Sequence, residues 1–590
     1  MKLVIDILEE RISAAMAAAT GQGGCAAIVR PATDAKFGDY QANGVMALAK
    51  KLKTNPRKLA EQVVQKLELD DICEPPEIAG PGFINLRLKN GFVADRLLEI
   101  NTDSQNRLGI DKSAQLKTVV VDFSGPNIAK QMHVGHLRSA IIGDCICRIL
   151  EFLGHKVIRQ NHIGDWGTQF GMLIAYHRRQ IDIAADYATG KVSSFPHVKD
   201  LEEFYKKASG LYGSDASFAE EARSCVVKLQ SGNPIMRSSW KRIVDWSRNE
   251  IYPIYEKINV TLKRKDERSE SFYKDQLPGI VEDLKKREIA EDSDGAVCVF
   301  PDGFKNKEGQ PLPLILQKSD GAFLYATTDL AAIRYRVDEL KADRVIYVTD
   351  ARQKLHFQMV FAVARKAGWT KDTELVHVTF GSVLGENGQP LKTRSGENVK
   401  LKELLDEAVE RAKAVVEEKN PCLPKDRKAQ IAKAVGVGAV KYADYSNNRT
   451  SDYIFSFDKM LVMDGNTAPY MQYAYARIKS IERKGRLDFD KELKDLEDLN
   501  LTESAELDLA KQLSRYGEAV EAAVVDYRPN YLTSYLYELA QKFSVFYTNC
   551  PVLDAEPDKR PTRLLLCDLT ARTIRHGLND LLGIEVIEQM

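Results

Sequence analysis

A run of about 20 apolar residues, the length a membrane-crossing helix requires, is missing from this sequence; Ala434–Val440 and Met359–Ala364 are among its longest. The first residues, Met1–Arg11, mix apolar with acidic side chains and lack the cationic and apolar regions of a secretion signal. A soluble, cytoplasmic protein with no membrane partner is expected. Net charge is lacking too: 84 Lys and Arg offset 84 Asp and Glu, so a polyanionic partner has to be met by local patches. Nine cysteines contain no CxxC pair, and only Cys145 and Cys147 lie close together. Neither a zinc ribbon nor a disulfide framework is supported, and reduced, buried thiols are expected. Repeats and low-complexity tracts are absent as well.

At 590 residues the chain is too long for one core, and three or four domains are expected. Residues 1–112 read as a unit of their own. Ile5–Ala19 and Thr54–Leu67 have helical spacing, Ile78–Leu88 alternates like a strand, and Asn101–Lys112 looks like a linker. From Leu116 strands and helices alternate, which argues for an α/β domain with a parallel sheet. Lys117–Phe123, His155–Arg159, Arg344–Val348 and Leu375–Phe380 are the strand candidates; Gly135–Leu153 and Gln353–Ala367 are helices. The charged, helix-rich stretch 182–285 reads as an insertion between the two halves of that domain. Beyond Tyr442 the pattern is helical to the end, with Ala468–Ile481, Glu506–Val525, Tyr531–Thr548 and Pro561–Leu582 as the main helices and Asp488–Glu506 as an acidic connector.

The sharpest local feature is Ser124–Ser139, SGPNIAKQMHVGHLRS, where a strand ends and a helix begins. Free N–H groups at a helix start favour an anion. His133 and His136, three apart, reach one face, and Gly135 between them lets a phosphate or a nucleobase approach the backbone. Imidazole N–H groups suit charge that develops on a phosphoryl group during displacement. A zinc site is not expected, since no glutamate base of the HExxH kind and no third ligand accompany the pair.

This string resembles the first signature of the class I aminoacyl-tRNA synthetases, and PNIAKQMHVGHLRS closely resembles that of the arginyl family. The resemblance continues in order through GDYQAN (38–43), GPGFINLRL (80–88), IRQNHIGDWGTQFGML (158–173), FLYATTD (323–329), IYVTDARQKLH (346–356), Gly381–Lys402 and NTAPYMQYAYARIKS (466–480). It implies a Rossmann-like catalytic domain over 113–465 with a helical insertion at about 182–285. An α+β N-terminal domain over 1–112 and an all-α anticodon-binding bundle over 466–590 would flank it. The implied reaction is ATP-dependent attachment of L-arginine to tRNA(Arg) through an arginyl-adenylate, with tRNA needed for the first step. Mg²⁺ would ride on the triphosphate, with no tightly bound metal, and a monomer is expected.

The second class I signature, KMSKS, is replaced by PLKTRSG (390–396). Lys392 and Arg394 there could still clamp a triphosphate, and the family resemblance adds Lys130, just before the histidines; how these cations divide the work stays open. His133, Gly135 and His136 are implied in ATP binding and catalysis together with Lys130 and Lys392. A guanidinium pairs best with a carboxylate in a two-pronged arrangement. By resemblance Asp329, Tyr325 and Gln353 line the side-chain pocket, with a helix expected over Thr328–Tyr335. Gly125, Pro126, Asn127 and His136 would hold the α-amino and carboxylate end. A site built of hydrogen-bonding groups rejects analogues strongly, so no editing activity is expected. For tRNA, Asn466, Tyr470, Gln472, Tyr473 and Arg477 of the C-terminal unit, with Tyr475 among its aromatic residues, suit the stacking of splayed bases. Phe83 and Asn85, two apart on one strand, would face the outer corner of the tRNA. Acidic residues outnumber basic ones in the C-terminal unit, so a local basic groove is expected.

Overall fold

The computed structural model describes residues 1–167, 169–187, 201–392 and 399–590, with backbone alone over 182–187. The described residues form two compact units, one made of 1–112, 461–581 and 585–590, the other of 113–460 and 582–584. Among them no helix is long and apolar enough to cross a membrane.

The unit over 113–460 is built on a four-stranded parallel sheet. Along the chain come β1 (Thr118–Phe123), α1 (Val134–Phe152), β2 (Lys156–Gln160), α2 (Tyr325–Asp338), β3 (Arg344–Asp350), α3 (Lys354–Lys366) and β4 (Glu374–Phe380). The spatial order is β4-β3-β1-β2, with Val119 opposite Arg344, Thr118 opposite Lys156 and Arg344 opposite Glu374. The connection from β1 thus leaves to one side and that from β3 to the other, which opens a crevice between their carboxyl ends. Successive residues face opposite sides. Val120, Val345 and Tyr347 join a buried cluster with Leu330, Ile333 and Val360 of α2 and α3. On the opposite face lies α1, whose Gly143 allows contact so close that a Cβ there would run into the Phe123 ring.

Helices Leu201–Ser214, Ala216–Gln230 and Pro234–Lys257 occupy the expected insertion. Asp215 caps the second of them through the Phe218 N–H, and Asn233 followed by Pro234 starts the third. A three-stranded antiparallel sheet of Glu291–Ser293, Ala296–Val299 and Leu314–Gln317 precedes α2; the sequence pattern did not reveal it. A long helix, α4 (Lys425–Tyr445), buries Lys441, whose ammonium donates at 2.7 Å to the carbonyls of Ile258 and Gly583.

The other unit combines residues from both ends of the chain, 1–112 with 461–581 and 585–590. The reason is a polar lock: Tyr40 donates its hydroxyl proton to Glu518 at 2.6 Å, and Lys511 pairs with Asp39 at 2.9 Å. The single strand expected over Ile78–Leu88 is a hairpin, Glu77–Ala79 and Phe83–Leu86, because Gly80 and Gly82 adopt positive φ and turn the chain. It lies in an antiparallel sheet with Val29–Pro31 and Tyr40–Ala42. The helix expected over Glu506–Val525 breaks at Arg515 into Ser504–Ser514 and Tyr516–Val525.

Gly143→Ala gains up to about 1 kcal/mol of helix propensity but forces a methyl into Phe123, an overpacking cost of about 1–3 kcal/mol. A lower urea midpoint is expected. With Phe123→Leu in the same chain, the loss should be smaller than the sum of the two single substitutions.

Candidate active site

At the end of β1 the backbone turns sharply: Ser124 has φ +73° and Gly125 φ +51°. A serine in the left-handed region is strained and has to be held from several sides. Its N–H donates to Ser139 Oγ at 2.8 Å, and its hydroxyl lies 2.7 Å from that of Tyr255. Ser139 Oγ in turn donates to the Val348 carbonyl at 2.6 Å, joining α1 to the ends of β1 and β3. Asn161 accepts the Gly125 N–H at 3.0 Å. Pro126 is buried and its carbonyl accepts the Gly164 N–H; a Cβ on Gly164 would collide with the Asn127 amide. Gly164 therefore lets the exposed Asn127 lie flat at the crevice mouth.

At the start of α1 the two histidines cap the helix reciprocally. The His133 N–H donates to His136 Nδ1 at 3.0 Å, and the Gly135 N–H donates to His133 Nδ1 at 3.0 Å. With both Nδ1 atoms accepting, the neutral rings carry their protons on Nε2. Burial pushes His136 down to about 3, and burial followed by the charges of Arg352 and Lys130 lowers His133. Both imidazoles are thus neutral donors at physiological pH, their ring centres 4.0 Å apart. Arg138, one turn further on, is fully buried; it pairs with Asp444 at 2.9 Å and donates to the Gly381 carbonyl at 2.8 Å. That tie anchors the histidine helix to the segment leading into the PLKTRSG stretch.

A cavity of about 670 Å³ opens over these groups, and Gly125, Asn127, His133, Gly135, His136, Tyr325, Asp329 and Gln353 all line it. The helix carrying Tyr325 and Asp329 begins at Tyr325, not at Thr328, because Thr327 Oγ1 binds the Leu316 carbonyl at 2.6 Å and draws the first turn back. The two side chains are then one helical turn apart on one face. Asp329 lies 2.6 Å from His356 Nε2, and the Tyr325 ring centre is 4.8 Å from that of His356.

The same cavity is lined by Glu270, Asp350, Arg352 and His356, none of which the sequence reading singled out. Burial, with the charges of Asp165 and Asp329 added, pushes the Glu270 carboxyl up to about 8. Two carboxyl groups and two imidazole donors lining one cavity suit a ligand that carries both a cation and a phosphoryl group. The signal that could have found His356 was its place in IYVTDARQKLH, just beyond Gln353.

Other expected residues lie elsewhere. Lys130 is exposed, with its ammonium 5.0 Å from the centre of the Tyr205 ring, and Lys392 is exposed beyond the cavity lining. Arg394 lies outside the described residues. In the other unit Asn85 is 7% exposed and accepts from the Gln41 amide at 2.8 Å, while Phe83 and Asn466 are half-buried. Gln472 is a correction: it is fully buried and its amide holds the Glu585 carbonyl at 2.7 Å, so it braces the C-terminal segment and presents nothing to a partner. Tyr475, 4% exposed, is likewise core. Tyr470 packs edge-on against Tyr537 at 5.9 Å. Tyr473 remains at the surface, and Arg477 lies between it and Tyr547, 4.7 and 5.1 Å from the two ring centres.

Comparison with known proteins accords with this geometry. Residues 100–457 match the family described as tRNA synthetases class I (R), catalytic domain; residues 471–590 match the DALR anticodon binding domain; residues 6–88 match the arginyl tRNA synthetase N terminal domain. The chain is 52% identical over 591 residues to an arginine–tRNA ligase of a Synechococcus species, covering 99% of each. It is 50% identical over 588 residues to that of Hahella chejuensis, again covering 99% of each. Among solved structures, arginyl-tRNA synthetase from Plasmodium falciparum superposes with a TM-score of 0.84 at 30% identity, and that from Thermus thermophilus with 0.80 at 25%, each covering 100% of both chains. With its catalytic region and its full length both matched, the chain belongs to the arginine–tRNA ligase family of class I tRNA synthetases.

Proposed function

We propose that the protein joins L-arginine to tRNA(Arg) at the expense of ATP. The observation that carries this reading is a single cavity lined both by the His133 and His136 donors and by the carboxyls of Asp329 and Glu270. In the first step a carboxylate oxygen of arginine attacks the α-phosphorus of ATP in line; the P–O bond to pyrophosphate breaks and arginyl-adenylate remains. The Nε2–H groups of His133 and His136 donate to the phosphoryl oxygens as negative charge builds there, and catalysis rests on placement and charge stabilisation. Mg²⁺ arrives with the nucleotide and adds positive charge at the triphosphate. The 2′-hydroxyl at the tRNA 3′ end then attacks the arginyl carbonyl, and AMP leaves.

Arginine selection rests on Asp329, whose other oxygen is steadied by His356, with Glu270, Tyr325 and Gln353 around it. Asn127 and the Gly125 backbone would receive the α-amino and carboxylate end. Lysine lacks the fork and citrulline the charge, so either leaves buried polar groups unpaired and is rejected without editing. Tyr473, Arg477 and Tyr547 offer stacking faces for splayed bases. The protein acts as a cytoplasmic monomer, with the roles of tRNA contact, catalysis and anticodon binding falling to 1–112, 113–465 and 466–590.

ATP–pyrophosphate exchange should require both arginine and tRNA, and purified protein should leave misacylated tRNA intact; exchange driven equally by lysine, or rapid deacylation, would overturn the assignment. In charging assays, Asp329→Asn is expected to raise the KM for arginine roughly 10- to 150-fold, the cost of about 1.5–3 kcal/mol for a charged hydrogen bond. His356→Leu should move it the same way, whereas Arg477→Ala should raise the KM for tRNA alone. Because a carboxyl titrating at about 8 is neutral below that pH and a bound guanidinium favours its ionised form, arginine binding should release a proton. The KM for arginine should therefore fall as pH rises from 7 towards 9, and Glu270→Gln should flatten that slope.

A further inference from the structure

The triphosphate of a bound nucleotide brings several negative charges into a cavity that is lined by Asp122, Glu270, Asp329 and Asp350. Asp122 is matched from behind by Arg336, fully buried, with Nη2 at 2.7 Å. Neither Lys130 nor Lys392 reaches the lining. Among the described lining residues Arg352 is the one lysine or arginine. Its side chain is 83% exposed and rests on Asp350, with Nε and Nη2 each 2.8 Å from a carboxylate oxygen.

From this we infer that Arg352 binds the phosphates of ATP, exchanging the Asp350 carboxylate for phosphoryl oxygens as the nucleotide enters; the inference rests on the reading that ATP is activated in this cavity. Three observations carry it. Arg352 stands on the short turn Ala351–Gln353, where β3 ends at the carboxyl edge of the sheet, the edge at which ligands bind in open α/β folds. It lines the same cavity as His133 and His136, and its charge is felt at His133. The planar fork that now grips a carboxylate fits a phosphate with the same two-bond geometry. An exposed ion pair contributes little stability, so Asp350 parks the guanidinium without holding it against a more highly charged anion. Arg352 forms and breaks no covalent bond in this scheme. It adds a phosphate-binding cation to those that Lys130 and the PLKTRSG stretch offer.

The test is initial-rate ATP–pyrophosphate exchange by the full-length protein with tRNA present, varying ATP and arginine separately. Arg352→Gln is expected to raise the KM for ATP about 10-fold or more and to lower kcat, with the KM for arginine within about twofold of the parent and the melting temperature unchanged. Arg352→Lys should recover part of the loss, because the charge returns without the fork. Asp350→Asn keeps the oxygen that accepts the Arg352 backbone N–H and removes the competing charge, so it should lower the KM for ATP. An unchanged KM for ATP in Arg352→Gln would overturn the inference. So would a rise confined to arginine, which would assign the fork to the substrate's own carboxylate. Failure of the underlying reading is distinct: the unsubstituted protein would then show no arginine-dependent exchange.

Discussion

Much of the site depends on a single electrical requirement, that two adjacent imidazoles stay neutral and share one tautomer. The helix start meets it by spending main-chain N–H groups on both Nδ1 atoms. A protonated pair this close would repel itself and the nearby cations, and burial opposes protonation further. The strained turn at Ser124 and Gly125 belongs to the same constraint. It lets the strand end and the helix start converge through Ser139, so the donors stand at the sheet edge with little freedom to reorganise.

Opposite them the cavity keeps its acids in graded states. Asp122 is neutralised from behind by Arg336, Asp350 by a surface fork, Asp329 is oriented by an imidazole, and Glu270 holds its proton near neutrality. Asp329 presents its charge to an incoming cation directly, and Glu270 does so on giving up its proton. Such grading lets a site with four carboxylates accept a polyanionic nucleotide as well as a guanidinium, because most of the negative charge is matched before either arrives.

The sheet and the histidine helix were legible in sequence because buried parallel strands are short apolar runs and α1 carries helical periodicity after a loop. The small antiparallel sheet before α2 was harder to see, since its strands have three or four residues each, although Asp294-Gly295, both at positive φ, is a two-residue hairpin turn that marks the first pair. Lone charged residues were the hardest to read. Glu270 becomes a site residue only when chain segments far apart in sequence converge, with nothing local to mark it, whereas Arg352 and His356 flank Gln353 within one motif and are singled out only once the cavity is seen. Motif resemblance erred in the other direction at Gln472: position in a motif does not tell an inward face from an outward one, and the amide serves the C-terminal segment. Tyr40 and Asp39 of GDYQAN likewise brace the C-terminal helices.

The polar lock between the two ends of the chain also orders events on the ribosome. Residues 1–112 find their partners only after 113–460 have been made. At about 5–20 residues per second those 348 intervening residues take roughly 20–70 s. During that interval the unit built on the parallel sheet can assemble while Asp39 and Tyr40 of the amino-terminal segment still lack their partners Lys511 and Glu518. Its last piece, the Gly583 carbonyl that Lys441 grasps, arrives after the segment 461–581 of the other unit.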